Sequence, residues 1–204
     1  MRKMLTMGVA VAGVLLAGWQ NVASAAVETG SEAPDFTLSD VHGNSHTLRE
    51  HRGRIVVLEW TNYDCPFVKK FYEPGAMQAL QAEMKAKGVV WLSICSSAAG
   101  KQGNFTKSVW LQRMEAAKVQ VPVLLDESGD VGRAYSARTT PHMFVIDAEG
   151  KVVYQGAIDS IRSTNSDDIE RAENYVQAAV TAVLAGQAVE TTDTRAYGCS
   201  VKYE

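Results

Sequence analysis

Short runs of aliphatic and β-branched residues, separated by segments of helical period, constrain the fold of this chain more than any other feature. Ile55-Val56-Val57-Leu58 inside residues 54–61 reads as a strand buried on both faces. A helical segment follows, with Met77, Leu80 and Met84 as its apolar stripe, a kink at Pro74-Gly75 near its start and Gly88 at its end. Residues 89–95 then predict a strand, and 104–118 a helix carrying Phe105, Val109, Met114 and Ala117 on one face. Residues 121–126 predict a third strand, Ser128 caps a short helix through Tyr135, and residues 143–147 and 151–156 predict two strands joined by Ala148-Glu149-Gly150. A last helix is expected from Asp167 to Gly186, with Asp167 and Glu170 as a capping box and Ile169, Ala172, Val176, Ala179 and Val183 as its stripe. Ahead of all this, residues 33–50 read as an N-terminal β-hairpin turning at residues 40–44. The class is α/β: a mixed sheet with helices on both faces, whose sites form at the carboxyl ends of its strands.

The N-terminus carries a different signal. Arg2 and Lys3 precede the uncharged run of residues 7–19, and Ala23-Ser24-Ala25 offers small residues for a cut before Ala26. Residues 1–25 read as a secretory signal peptide, which implies a periplasmic protein with no membrane association after cleavage. Residues 26–186 form one domain and residues 187–204 an aperiodic tail carrying Cys199. Without the leader, eighteen basic residues face twenty-three acidic ones, a balance of −5 that excludes a nucleic-acid partner. The three cysteines, Cys65, Cys95 and Cys199, all fall after the leader, and an odd count in an oxidising compartment points to chemistry rather than stapling.

Cys65 follows the first long strand by four residues and is followed by Pro66, which suits the first position of a helix. The thiol therefore sits at a helix N-terminus, where unpaired amides favour thiolate, and Lys69 adds a cation one turn on. Glu59 stands six residues earlier inside the apolar strand. Buried, its carboxyl would have a raised pKa suited to proton transfer at a thiol; the alternative is an outward-facing strand residue beside a Lys or Arg.

Trp60-Thr61-Asn62-Tyr63-Asp64-Cys65-Pro66-Phe67-Val68, the later Thr139-Thr140-Pro141-His142-Met143-Phe144-Val145-Ile146-Asp147 and the early Ala33-Pro34-Asp35-Phe36-Thr37-Leu38 together resemble the thioredoxin-fold redoxins. The resemblance is to the peroxiredoxin-like branch of the alkyl hydroperoxide reductase and thiol-specific antioxidant superfamily, over roughly residues 33–186. It implies a thioredoxin-like fold, Cys65 as the attacking thiol, Pro141 as a cis-proline facing it, and Glu59 at the spacing of the buried acid of thioredoxins. A cis bond at Pro141 would leave the backbone of Thr140 free to pair with an extended partner near the sulfur. The resemblance also implies a peroxide or a disulfide as substrate, an external thiol as reductant, and no cofactor.

Three departures bear on the reaction. Val68 occupies the place of a second thiol in C-x-x-C, Asn62 stands where peroxiredoxins have Thr, and Pro141 stands where they have their activating Arg, with Thr61 and Arg138 as spatial substitutes. A one-thiol site needs a second thiol to turn over, and Cys199, in Tyr197-Gly198-Cys199-Ser200, is the expected resolving partner, with Gly198 allowing the tail to fold back. Cys95, at a strand end, is expected to be a core or rim thiol. A second reading is a Cu(I)-binding module using Cys65, His142 and Met143, similar to the Sco-type copper chaperones, and a third is a catalytically idle redoxin kept for protein contacts.

Overall fold

The computed structural model describes residues 27–204, so the leader assigned to residues 1–25 lies outside the described residues. Its strands are β1 (Thr37–Asp40), β2 (Ser45–Thr47), β3 (Val56–Trp60), β4 (Val90–Cys95), β5 (Val123–Leu125), β6 (Thr139–Thr140), β7 (His142–Ile146), β8 (Val152–Gly156) and β9 (Cys199–Ser200). The helices are α1 (Pro66–Tyr72), α2 (Ala76–Ala86), α3 (Lys107–Ala116), α4 (Asp130–Ala134) and α5 (Tyr175–Leu184). Seven strands form one mixed sheet in the order β2-β1-β5-β4-β3-β7-β8, and β6 and β9 pair separately. β3, β4 and β5 run parallel, whereas β7 is antiparallel to β3 and β8 antiparallel to β7. The expected N-terminal hairpin is present as β1–β2 and extends the sheet through β5.

Side-chain alternation along β3 and its neighbours separates two cores. Val57, Trp91, Val123, Met143 and Val145 face one side, where α1, α2, α3 and α5 pack on them through Phe71, Met77, Met84, Trp110 and Val180. Leu58, Trp60, Leu92, Ile94, Leu124 and Phe144 face the other, covered by Tyr135, Phe36 and Leu48, with Val131 and Ala134 of α4 at the margin. All five residues of β3 are buried, the doubly covered centre that its β-branched run predicts.

The last helix differs from its expected form. Asn165 caps a 3₁₀ segment, Ser166–Arg171, by accepting from the Asp167 amide, Ala172 is extended, and α5 begins afresh at Tyr175. The reason is a second cap: the Asn174 Oδ1 accepts from the Gln177 amide at 2.9 Å, so the amides that a continuous helix would have satisfied are met by two asparagines. Likewise α3 starts at Lys107 rather than Asn104, and α4 is entered through Gly129, with the Ser128 hydroxyl accepting from the Asp130 amide.

Candidate active site

β3 delivers the chain to residues 61–64, a tight turn in which the Asn62 Oδ1 accepts from the Asp64 amide at 3.0 Å and the Asn62 carbonyl accepts from the Cys65 amide at 2.9 Å. Pro66 then opens α1, and Cys65 is its extended N-cap residue, whose carbonyl accepts from the Val68 and Lys69 amides. The Cys65 side chain is fully covered. Its Sγ, as a thiol, donates to the Thr140 carbonyl at 3.0 Å, and the Thr140–Pro141 peptide is cis.

The cover comes from the C-terminus. β9 pairs antiparallel with β6, with Cys199 opposite Thr140, and the Val201 amide donates to the Arg138 carbonyl at 3.0 Å. The tail thus takes up the free backbone edge beside the cis-proline. Gly198 makes the approach feasible: its φ is +141°, and a Cβ there would stand 2.1 Å from the Thr140 oxygen.

The two thiols perturb each other in opposite directions. Burial pushes the Cys65 thiol up, but the Cys199 thiol and amide, Thr140 and the Val68 amide more than offset this, and its pKa lies below the ordinary value. Lys69 is exposed and is not among the groups that hold the sulfur ionised; the amide-rich helix start is, and Cys199 replaces the expected cation. Burial raises the Cys199 thiol to about 11, reinforced by its hydrogen bond to Cys65 and that sulfur's charge. The two thiols therefore titrate as a pair in which Cys65 is the more acidic member. Cys95 is buried, 3.5 Å from the Gly103 carbonyl, and burial raises its pKa, as suits a packed core thiol.

The tail is seated by a contact that the sequence reading missed. Lys70 on α1 is wholly buried and donates to the Asp159 Oδ2 at 2.7 Å and to the Ile161 carbonyl at 2.9 Å. The Tyr197 hydroxyl, two residues before Cys199, donates to the Asp159 Oδ1 and lies 3.3 Å from the Lys70 Nζ, while its ring stacks edge-on against Phe67 at 5.8 Å. Helical spacing gave no signal for this contact, since Phe67, Val68, Phe71 and Tyr72 form the apolar arc of α1 and Lys69 and Lys70 flank that arc equally.

Glu59 is buried without a basic partner, so the outward-facing alternative does not hold. Its carboxylate accepts from the Tyr72 hydroxyl, the Trp91 indole, the Ser93 hydroxyl and the Gln81 amide, and burial raises its pKa. No hydrogen bond joins it to Cys65 or Cys199 among the described residues. Of the expected substrate-binding residues, Thr140 and Pro141 lie at the sulfur, Asn62 shapes the turn, and Thr61 is buried with an unpartnered hydroxyl. The copper set is not assembled: His142 and Met143 are successive residues of β7 and point to opposite faces of the sheet, His142 stacking on Phe144.

A lowered-pKa thiol at a helix start, facing a cis-proline and a second thiol on a thioredoxin-like sheet, defines a thiol oxidoreductase. Residues 28–175 match the family model described as Redoxin, and the chain belongs to that family. It is 32% identical over 127 residues to the thiol-disulfide oxidoreductase ResA of Geobacillus thermodenitrificans, covering 62% of this chain and 68% of that protein. The crystal structure of a hypothetical protein from Sinorhizobium meliloti superposes with a TM-score of 0.73 at 30% identity, over 89% of this chain and 97% of that one. A putative thiol:disulfide interchange protein DsbE from Chlorobium tepidum superposes with a TM-score of 0.57 at 25% identity, over 78% and 99% of the two chains.

Proposed function

We propose that this redoxin is an exported thiol–disulfide oxidoreductase in which Cys65 attacks and Cys199 resolves. The Cys65 thiolate attacks one sulfur of a substrate disulfide, the substrate S–S bond breaks, and one substrate thiolate leaves. Cys199 then attacks the Cys65 sulfur, its proton passing to the second departing substrate sulfur, and a Cys65–Cys199 disulfide remains while the substrate is reduced. The observation that carries this reading is the placement of Cys199 opposite Thr140 across β6–β9, where the Thr140 carbonyl accepts from the Cys65 thiol, together with the opposed pKa shifts of the two thiols. Two of the influences that raise Cys199 come from Cys65 itself, so they vanish once Cys65 enters a mixed disulfide, and the resolving thiol is activated when it is needed.

Disulfide is favoured over peroxide because the Thr140 carbonyl and Cys199 are the polar groups about the sulfur, and no guanidinium is hydrogen-bonded there among the described residues. Glu59 we assign to proton exchange within the Tyr72–Gln81–Trp91–Ser93 cluster beneath the site, not at the sulfur. Export rests on the leader in residues 1–25, for which a mature N-terminus at Ala26 is the mass-spectrometric check.

The test is intact mass and peptide mapping of the reduced protein after one equivalent of an oxidised dithiol peptide or of peroxide. Loss of about 2 Da with a Cys65–Cys199 cross-linked peptide, reached faster with the disulfide, is expected. A stable Cys65 adduct with Cys199 still free would overturn the resolving role, and faster reaction with peroxide would overturn the choice of substrate.

A further inference from the structure

Nine arginines fall among the described residues. Five are ion-paired, and Arg54 donates to the Gly88 carbonyl. The remaining three, Arg138, Arg162 and Arg195, have no carboxylate or carbonyl partner among the described residues, and all three line a single cleft of about 550 Å³. Residues 1–26 contain no Asp or Glu to pair them. The acidic side chain in the lining is Asp193, whose Oδ2 already accepts from the Gln155 amide at 2.6 Å. A protein of formal charge −3 thus gathers its uncommitted guanidinium groups at one place.

A fourth donor points the same way. His142 lines the cleft although it is only 8% exposed, and its Nδ1 accepts from the Arg138 amide at 3.3 Å, so in the neutral ring the proton is on Nε2. That N–H has no acceptor among the described residues. Burial, with the charge of Arg138, lowers the pKa of His142 to about 4, which keeps it a neutral donor at physiological pH. Three guanidiniums and an imidazole N–H without an acceptor among the described residues make a site for carboxylate oxygens. The volume is that of a small-molecule site rather than of a protein-binding face.

The cleft also abuts the redox pair. Thr139 and Gly198 line it, and their chain neighbours Thr140 and Cys199 are the residues at the Cys65 sulfur. Cys199 is partly exposed whereas Cys65 is covered. Resting on the Cys65–Cys199 reading above, we propose that this cleft binds the external reductant, a low-molecular-weight thiol carrying two carboxylates, with the carboxylates on Arg138, Arg162 and Arg195 and the sulfur toward Cys199. The thiolate of the bound molecule attacks the Cys199 sulfur, the Cys65–Cys199 bond breaks, and Cys65 leaves as the thiolate, the better leaving group of the two. A second molecule of the same thiol attacks the sulfur of the first, releasing Cys199 and a small-molecule disulfide. The two protons of the two thiols end on the two cysteines.

Binding and reduction are tested separately on the chain lacking its leader. S-methylglutathione carries two carboxylates and no thiol, and its calorimetric titration should saturate at low salt and weaken about tenfold or more in the Arg138→Gln/Arg162→Gln/Arg195→Gln variant. With the protein oxidised, the same variant should slow reduction by glutathione by about tenfold while leaving reduction by uncharged dithiothreitol unchanged. Absence of saturable binding, or equal binding by the variant, overturns the proposal. An acidic peptide that binds where S-methylglutathione does not would make the cleft a protein-docking groove and overturn the assigned ligand. If the cysteines never pair, the resolving role fails, but the S-methylglutathione titration still decides whether the cleft takes a dicarboxylate.

Discussion

Replacing Tyr197 by Phe removes one oxygen from the contact that seats the C-terminal segment over Cys65. That hydroxyl donates to the Asp159 carboxylate, while the ring's stacking on Phe67 at 5.8 Å survives the change. Asp159 keeps Lys70 at 2.7 Å and the Ile161 amide at 3.1 Å, so the substitution strands no buried charge. The loss is therefore one hydrogen bond to an ionised group, about 1.5–3 kcal/mol. It is felt in the docking of residues 197–203 and not in the sheet, whose contacts do not involve this hydroxyl. Converted to an equilibrium, the undocked fraction of the tail should rise about 10- to 150-fold.

Amide hydrogen exchange on the reduced protein reads this directly. The Val201 amide, bonded to the Arg138 carbonyl at 3.0 Å, reports docking, and should exchange faster by that factor if the tail recloses quickly. Amides of β3 and β4 serve as the control and should keep their protection. Unchanged Val201 exchange in a folded variant would refute the reasoning, because the tail would then be held by something other than the Lys70–Asp159–Tyr197 contact. A uniform loss of protection across β3 and β4 would refute it differently, by showing that the contact holds the whole domain.

Three further outcomes follow from the same geometry. Cys199→Ala removes a hydrogen-bond donor from the Cys65 sulfur and should raise its iodoacetamide labelling midpoint, and Cys65→Ala should lower that of Cys199 from about 11; two unmoved midpoints would show the thiols to be independent. Gly198→Ala places a methyl 2.1 Å from the Thr140 oxygen at a φ of +141°, so the tail must shift, and mass spectrometry after oxidation should find a persistent Cys65 mixed disulfide in place of the Cys65–Cys199 pair. Glu59 has a raised pKa, so from its ordinary 4.5 up to the folded value the native state holds a proton that the unfolded chain has released, and its contribution to stability falls as pH rises through that window. Glu59→Gln abolishes the window, and the melting temperature of the wild type minus that of the variant should decline from pH 4.5 upward; a difference independent of pH would mean that the carboxyl does not titrate there.

Local features were legible and distant ones were not. The β-branched run at residues 55–58, the Cys65-Pro66 helix start and the Thr140-Pro141 pair each report on their immediate backbone, and the structure places a central strand, a helix N-cap and a cis bond there. The final helix was misjudged where two local signals compete, since Asp167 with Glu170 and Asn174 each offer a cap and only Asn174 begins the α-helix. The seat of the tail joins Lys70 to Tyr197 across 127 positions, and no spacing rule links residues so far apart. Lys69 and Lys70 make the point at single-residue scale. Both are cations within a turn or two of the thiol, yet a 100° rotation sends one to solvent and buries the other.

The distance between the cysteines along the chain also changes what oxidation does. In a C-x-x-C site the resolving thiol is fixed one helical turn from the attacking one, so its availability does not vary. Here it arrives on a segment 134 positions later whose docking is an equilibrium, and the rate of resolution scales with the docked fraction. Linkage makes the coupling reciprocal: a Cys65–Cys199 disulfide must stabilise the docked tail by the same factor by which docking favours the disulfide. Of the three arginines that have no carboxylate or carbonyl partner among the described residues, Arg195 belongs to the tail, whereas Arg138 and Arg162 belong to the body of the domain. A dicarboxylate bound across them would hold the tail down while its own thiol attacked Cys199, so the reductant would secure the geometry it needs. Weakening the tail with Tyr197→Phe should therefore weaken S-methylglutathione binding as well, although Tyr197 carries none of the cleft's charge.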